Sequence, residues 1–443
     1  MTAHPLPESG PEPRPEDLLL VGDMHLGRVP VGLDDALARQ GLTPAALSPA
    51  EALARLVDHA LAAPPRAVVF AGDLVDQDDD RFEALAVLER QVRRLADADV
   101  PVLAIAGNHD GLVLPRLVDR VPGVTLLGAG GTWQRVELRG PGPAVDLLGW
   151  SFPATHVRAC PLDLGGFDEA RAGVRPGALA LGVLHGDLDA GASDYGPVPT
   201  QRLRDAGLDG WFLGHVHAPS DLTAGVPLGY LGSLTSLRAT ETGPRGAWRV
   251  ATHGGRAEPA QLHLGPLRRE ALTVTLDDDA GGDDLAVRAA VQAALRDRLG
   301  KDPTLAGHAL VVARVRLEGQ LADRSGVAAF VDDDGAASLD LDVAGVPVVV
   351  QRVTDATRRP VDLEARAQEP TPIGHLARQL LALREGRADD LVARAAGAVR
   401  RVDEGGWDLD PEDHPAPDPA VLVERAAWRL LDRLLAQREE AAP

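Results

Sequence analysis

The chain of 443 residues contains one cysteine, Cys160, and one lysine, Lys301. A lone cysteine excludes an intrachain disulfide and fits a reducing compartment. The scarcity of lysine leaves almost all basic charge to arginine, and acidic residues outnumber basic ones 66 to 45, for a formal net charge of −21. That balance excludes a protein that coats nucleic acid by bulk charge, but not one that brings bound cations or a local arginine patch to it. Aromatic residues make up only 3% of the chain against 45% hydrophobic residues, so its cores rest mainly on Ala, Leu and Val. No stretch reaches the roughly 18 apolar residues of a membrane helix. The opening segment MTAHPLPESGPEPRPED (1–17) lacks the basic-then-apolar layout of a signal peptide and reads as a disordered tail. A soluble, cytoplasmic protein is the expectation, with about three domains for this length.

What is present is a regular alternation. DLLLVGDMH (17–25) reads as a buried strand running into a polar turn. Ser48, Pro49 and Glu51 form a capping box with proline at the first helical position, followed by Leu53, Leu56, Val57 and Leu61 at helical spacing. RAVVFAGD (66–73) is the next strand. Phe82, Leu85, Leu88, Val92 and Leu95 mark a second amphipathic helix, and VPVLAIAGNHD (100–110) a third strand. This β-α-β-α-β order predicts a layered α/β sheet with right-handed crossovers. Shorter strands follow, then ALALGVLHGD (178–187) and LDGWFLGHVH (208–217), which predicts a second sheet facing the first. An α+β block is expected over 256–365 and a helical region over 366–443. There Val423, Ala427, Leu430 and Leu434, flanked by Leu431 and Leu435, form an apolar stripe.

Five strands end in the same kind of chemistry: Asp23 and His25 in GDMH, Asp73 in GDLVD, Asn108 and His109 in GNHD, His185 in LHGD, and His215 and His217 in GHVH. Each segment taken singly is compatible with a solvated loop or a satisfied core histidine. Together, each at the end of an apolar strand, they form a hard-to-borderline donor set of carboxylate, imidazole and amide oxygen, suited to manganese, iron or zinc. In extended chain, residues i and i+2 share a face, so Asp23 with His25 and His215 with His217 are expected to converge. A shared carboxylate would hold two cations about 3.5–4 Å apart, the two-metal spacing for phosphoryl displacement.

The ordered set D-x-H, G-D-x-x-D, G-N-H-D, H, G-H-x-H resembles the calcineurin-like metallophosphoesterases. The resemblance implies an α/β (α+β overall) fold: a four-layer β-sandwich flanked by helices over 18–255, followed by a small α+β capping domain and the helical segment. It also implies two divalent metal ions, with manganese favoured and iron or zinc as alternatives. Asp23, His25, Asp73 and His217 would hold one ion, and Asp73, Asn108, His185 and His215 the other, with Asp73 bridging. His109, paired with Asp110, would stabilise the transition state or protonate the leaving group while a metal-bound hydroxide attacks phosphorus.

Gln77 and Asp110 stand where protein phosphatases of this family carry arginine and glutamate. YLGSLTSLRATETGPRGAWRV (230–250) instead resembles the SbcD/YhaO-type DNA repair exonuclease subunits. In that branch some members place a second histidine where this chain has Asp76, which is taken as a further candidate catalytic residue. That branch implies DNA as substrate, an SbcC-like SMC-type ATPase partner and a homodimer. The chain carries no P-loop, since Asp302 follows Gly300-Lys301. Two other readings stay open: a phosphodiesterase of small nucleotides or other small phosphoesters, and a non-catalytic scaffold built around a structural metal.

Overall fold

A computed structural model describes residues 17–75, 81–403 and 418–440. The chain divides into two compact units. The first comprises residues up to 270 with 302–312 and 342–348, and the second 271–301, 313–341 and 349 onward.

The first unit holds two sheets. One contains β1 (Leu18–Val21), β2 (Ala67–Ala71), β3 (Val102–Ile105) and β4 (Val124–Leu126), all parallel in that order. The other consists of β5 (Gln134–Leu138), β6 (Val145–Gly149), β7 (Leu179–His185), β8 (Gly210–Gly214) and β9 (Leu228–Tyr230), parallel from β6 onward. The chain then returns to the first sheet. β10 (Ala247–Ala251) pairs antiparallel with β1, and β11 (Glu258–Leu262) antiparallel with β10.

Strand alternation builds the layers. Leu18, Leu20, Ala67 and Val69 point inward and meet Leu147, Leu181, Val183 and Phe212 of the second sheet in one core. Leu19, Val21, Val68 and Phe70 point outward and pack with Leu53, Leu56 and Val57 of helix Pro49–Ala62 and Leu88, Val92 and Leu95 of helix Arg81–Ala96. The predicted cap is present: Ser48 Oγ accepts the Glu51 N–H at 3.4 Å, with Pro49 opening the helix. The outer face of the second sheet carries Trp211 and Leu213 against Phe167 and Leu203 of two short helices. Helix, sheet, sheet and helix make the four layers of an α/β sandwich, as the sequence predicts.

The border expected at 255 falls elsewhere. Strand β11 continues the first sheet, so this unit runs on to 270. The α+β block expected over 256–365 is divided between the two units: 256–270, 302–312 and 342–348 belong to the first, and the rest, with the terminal helices, to the second. That second unit draws on a four-stranded sheet of β12 (Leu267–Thr275), β13 (Leu310–Glu318), β14 (Leu341–Val343) and β15 (Val346–Asp355), in the order β12-β13-β15-β14. Helix Asp284–Gly300 buries Val287, Val291, Leu295 and Leu299. The terminal helices share a core of Leu363, Ile373, Ala377, Leu380, Trp428, Leu431 and Leu435. Of the predicted stripe on the last helix, Leu431 and Leu435 are buried and Ala427 and Leu434 pack beside them, whereas Leu430 is 48% exposed and Trp428 joins the buried line in its place. The large indole sets which face turns inward.

Among the described residues no helix is long and apolar enough to cross a membrane. The predicted tail (1–17, except Asp17) and Asp76 lie outside the described residues.

Candidate metal centre

The parallel strands β1, β2, β3, β7 and β8 carry the candidate ligands at their C-terminal ends, where side chains leave the ladder and face a crevice. The convergence does not come from extended pleating, as expected from i and i+2 spacing. The backbone turns instead: His25, Asp73 and His215 have φ of 48°, 49° and 105°, three of six positive values among the described non-glycine residues. Such strain persists only where the surroundings impose it. Here the carbonyl of Asp73 accepts the N–H groups of both Met24 and His25, at 3.1 and 2.9 Å, and pins the β1 turn to the β2 turn.

Seven side chains meet there. Asp23, His25 and His217 form one grouping with ligand atoms within 4.8 Å of each other, and Asp23, Asp73 and His185 a second. Asp23 is the carboxylate common to both, whereas the resemblance gives the bridging position to Asp73. His185 Nε2 lies 2.9 Å from Asn108 Oδ1 and 3.4 Å from Asp73 Oδ2. His215 Nδ1 lies 3.1 Å from the same Asn108 oxygen, and its backbone N–H donates to Asp23 Oδ1 at 2.8 Å. Close approach requires glycine at two strand ends. A Cβ on Gly107 would lie 2.1 Å from Asp73 Oδ1, and one on Gly72, at φ 94°, 2.4 Å from His185 Nδ1.

His109 is half-buried at the edge of the cluster. Its ring stands edge-on to that of His25 with centroids 5.3 Å apart, and its backbone N–H donates to Asp73 Oδ1 at 3.0 Å. Asp110 does not pair with the His109 ring as expected. Its two oxygens accept the N–H groups of Gly107 and Leu74, each at 2.7 Å, so it braces the two strand-end turns from beneath. Burial, with the Asp73 charge beside it, pushes the Asp110 carboxyl up to about 7.

Electrostatically the cluster is built to hold positive charge. Burial alone would raise the Asp73 carboxyl, but His185, through charge and hydrogen bond, with His25 and His109, pulls it below the ordinary carboxylate range. Burial alone would lower His185, yet Asp73, then Asp23 and the Ala71 carbonyl, raise it to about 9. Two features fit divalent cations directly. Asp23 Oδ2 is buried without a hydrogen-bond partner, and His25 Nε2 faces His217 Nε2 at 3.0 Å, so two potential donors to a metal point at each other. Buried carboxylates and imidazole lone pairs in this arrangement suit manganese, iron or zinc.

Two carboxylates behind the cluster were not singled out from the sequence. Glu241 Oε1 lies 2.7 Å from His217 Nδ1, and Asp187 Oδ1 lies 3.1 Å from His215 Nε2. Burial would raise Glu241, but the hydrogen bond and charge of His217 bring it down to about 2. Asp187 sits two residues after His185, a spacing that offered a signal. Glu241 is separated from its histidine by a whole strand, and its one signal was its place in the segment 230–250 that resembles the repair exonucleases.

Buried carboxylate, imidazole and amide side chains at the strand ends of a two-sheet α/β sandwich form a set that could hold divalent metal ions. Residues 17–219 match the family model of the calcineurin-like phosphoesterases, which marks a calcineurin-like metallophosphoesterase domain within the first unit. Two curated relatives are similar to this chain. One is the uncharacterized metallophosphoesterase YhaO of Bacillus subtilis (strain 168), 26% identical over 197 residues, covering 42% of this chain and 46% of the relative. The other is the DNA double-strand break repair protein Mre11 of Aeropyrum pernix, 28% identical over 279 residues, covering 60% of this chain and 64% of the relative. The match thus spans less than two thirds of either relative's length.

Proposed function

We propose that this chain is a dinuclear-metal phosphodiesterase acting on DNA, the nuclease subunit of an SbcCD-like repair complex. The observation that carries the reading is the convergence of Asp23, His25, Asp73, Asn108, His185, His215 and His217 at five strand ends, with the buried Asp23 Oδ2 lacking a hydrogen-bond partner. The similarity to the break repair protein Mre11 supports DNA as the substrate.

Two divalent cations, manganese in the first instance, supply Lewis-acid activation of water and neutralise charge on the phosphoryl oxygens when bound. The chain's residues do the rest. Asp23, His25, Asp73 and His217 hold one cation; Asp73, Asn108, His185 and His215 hold the other. His109, at the open edge, offers a ring N–H to the phosphoryl group or the departing oxygen. Asp110 keeps the GNHD turn in place, so that Asn108 and His109 face the crevice from one rigid loop. Asp76 stands where a second histidine would assist, and takes a catalytic or positioning role from there. A homodimer and an SMC-type ATPase partner complete the proposed assembly, with 256–365 as a cap over DNA.

The net charge of −21 favours a second reading, a phosphodiesterase of small nucleotides, because a polyanion is repelled more than a monoester or a small diester. End-labelled linear duplex DNA incubated with the protein and manganese, beside a mononucleotide diester, separates the two. Manganese-dependent shortening of the duplex, lost in Asp73→Ala, supports the nuclease. Turnover of the small diester with intact duplex moves the assignment to the small substrate. Cation binding without turnover of either leaves a metal-holding scaffold.

A further inference from the structure

The two imidazoles of the GHVH segment each back onto a carboxylate from a different part of the chain. His217 presents Nδ1 to Glu241 Oε1 at 2.7 Å. His215 presents Nε2 to Asp187 Oδ1 at 3.1 Å. A carboxylate accepts a hydrogen bond from the nitrogen it faces, which places the ring proton there and leaves the other nitrogen with its lone pair. The two histidines therefore use opposite nitrogens. His217 is left with Nε2, 3.0 Å from His25 Nε2, and His215 with Nδ1, 3.1 Å from Asn108 Oδ1. Both lone pairs face the cluster although the rings are attached two residues apart on one turn.

Each carboxylate is itself held in place. Glu241, 5% exposed, receives the Leu237 N–H on Oε2 at 2.7 Å and the Ser233 hydroxyl at 3.5 Å. Arg245 closes the other side by donating to the His217 carbonyl. Asp187 accepts the Ser193 hydroxyl, and its backbone is tied to Tyr195 and Val198 at 2.9 and 2.8 Å. Both carboxylates are thus held by hydrogen bonds besides the one to histidine, Glu241 buried and Asp187 partly so.

We propose that Glu241 and Asp187 are positioning residues of the metal centre, Glu241 fixing His217 to ligate through Nε2 and Asp187 fixing His215 to ligate through Nδ1. The inference rests on the dinuclear reading above and assigns one supporting carboxylate to each cation. Loss of Glu241 weakens the site of Asp23, His25 and His217, while loss of Asp187 weakens that of Asn108, His185 and His215. A purely structural ion pair would instead lower thermal stability and leave cation affinity alone.

Manganese titration calorimetry on the full-length chain, with electron paramagnetic resonance of the bound ions, tests this. The wild type binds two ions and shows a spin-coupled pair. Glu241→Ala and Asp187→Ala each lose about 10–100-fold in affinity at one of the two sites. Each then gives the spectrum of an isolated ion at a manganese concentration that saturates the wild type. Glu241→Gln, which retains an acceptor oxygen, recovers most of the lost affinity. If both alanine variants bind two ions with unchanged affinity, the positioning roles are overturned and the dinuclear reading stands. If the wild type binds no manganese, both fall together. Should circular dichroism show that Glu241→Ala does not fold, Asp187→Ala, on a partly exposed turn, decides by the same criteria.

Discussion

Arg268, with no exposed surface, gives Nε to Glu270 at 2.6 Å, Nη1 to Thr304 at 2.9 Å and Nη2 to Asp302 at 2.7 Å. Asp23, 1% exposed in the same unit, leaves Oδ2 without a partner, and nearby two imidazole nitrogens face each other. Both clusters bury charge at a cost that must be met within the fold. In the first, every guanidinium nitrogen finds an acceptor, so the cluster is closed. In the second, buried carboxylate, imidazole and amide groups crowd together and Asp23 Oδ2 finds no hydrogen-bond donor, an arrangement that a cation would complete. Buried charge alone does not mark the candidate site in this molecule; a buried carboxylate oxygen left without a donor beside clustered imidazoles does.

The contrast is sharpest in Asp73→Ala. Removing a carboxylate from the open cluster should lower manganese-dependent hydrolysis by about 10⁴-fold, roughly 5 kcal/mol of transition-state stabilisation, with the fold kept. Steady-state rates beside a thermal melt check this. A loss of fold in place of activity would put the two clusters in one class. In the closed cluster, Arg268→Met should cost about 3–5 kcal/mol of stability, because Glu270 and Asp302 stay buried without their cation. Denaturant titration measures that loss, and manganese affinity should not change.

His308 lies near this cluster, with Nε2 buried and without a hydrogen-bond partner, and makes the region pH-sensitive. It is 4% exposed, and burial, with the charges of Arg268, His263 and Arg55, pushes its imidazole down to about 4. The unfolded chain takes up this proton near pH 6.5 and the folded chain does not until about 4. The unfolded state therefore binds more protons in that window. The contribution is complete above pH 6.5 and is lost as pH falls toward 4, by about 3 kcal/mol. Stability measured across that range should slope less steeply in His308→Gln. The smallest effect is expected far from both clusters. Ser48→Ala removes one helix cap and should cost about 1 kcal/mol, a reference for what an ordinary contact contributes here.

Much of this was legible in the sequence because it depends on local pattern. Short apolar runs that end beside a glycine and a ligand-type side chain announced β1, β2, β3, β7 and β8, and with them all seven candidate ligands. What escaped depends on three-dimensional closure. The turns that bring His25 and His215 inward use positive φ, which neither residue type announces. The Asp110 carboxylate spans two turns rather than reaching the neighbouring ring, because backbone N–H groups at strand ends need acceptors. Return of β10 and β11 to the edge of the first sheet moved the unit border from 255 to 270. On the last helix the apolar stripe was legible except at its edge, where Leu430 stays exposed and Trp428 is buried.

The most direct test of the account is the number of manganese ions bound per chain, measured by equilibrium dialysis with metal analysis, in the wild type and in Asp73→Ala. The open cluster predicts two ions in the wild type and at most one in the variant. No tightly held ion in the wild type, or the same number in both proteins, would contradict it.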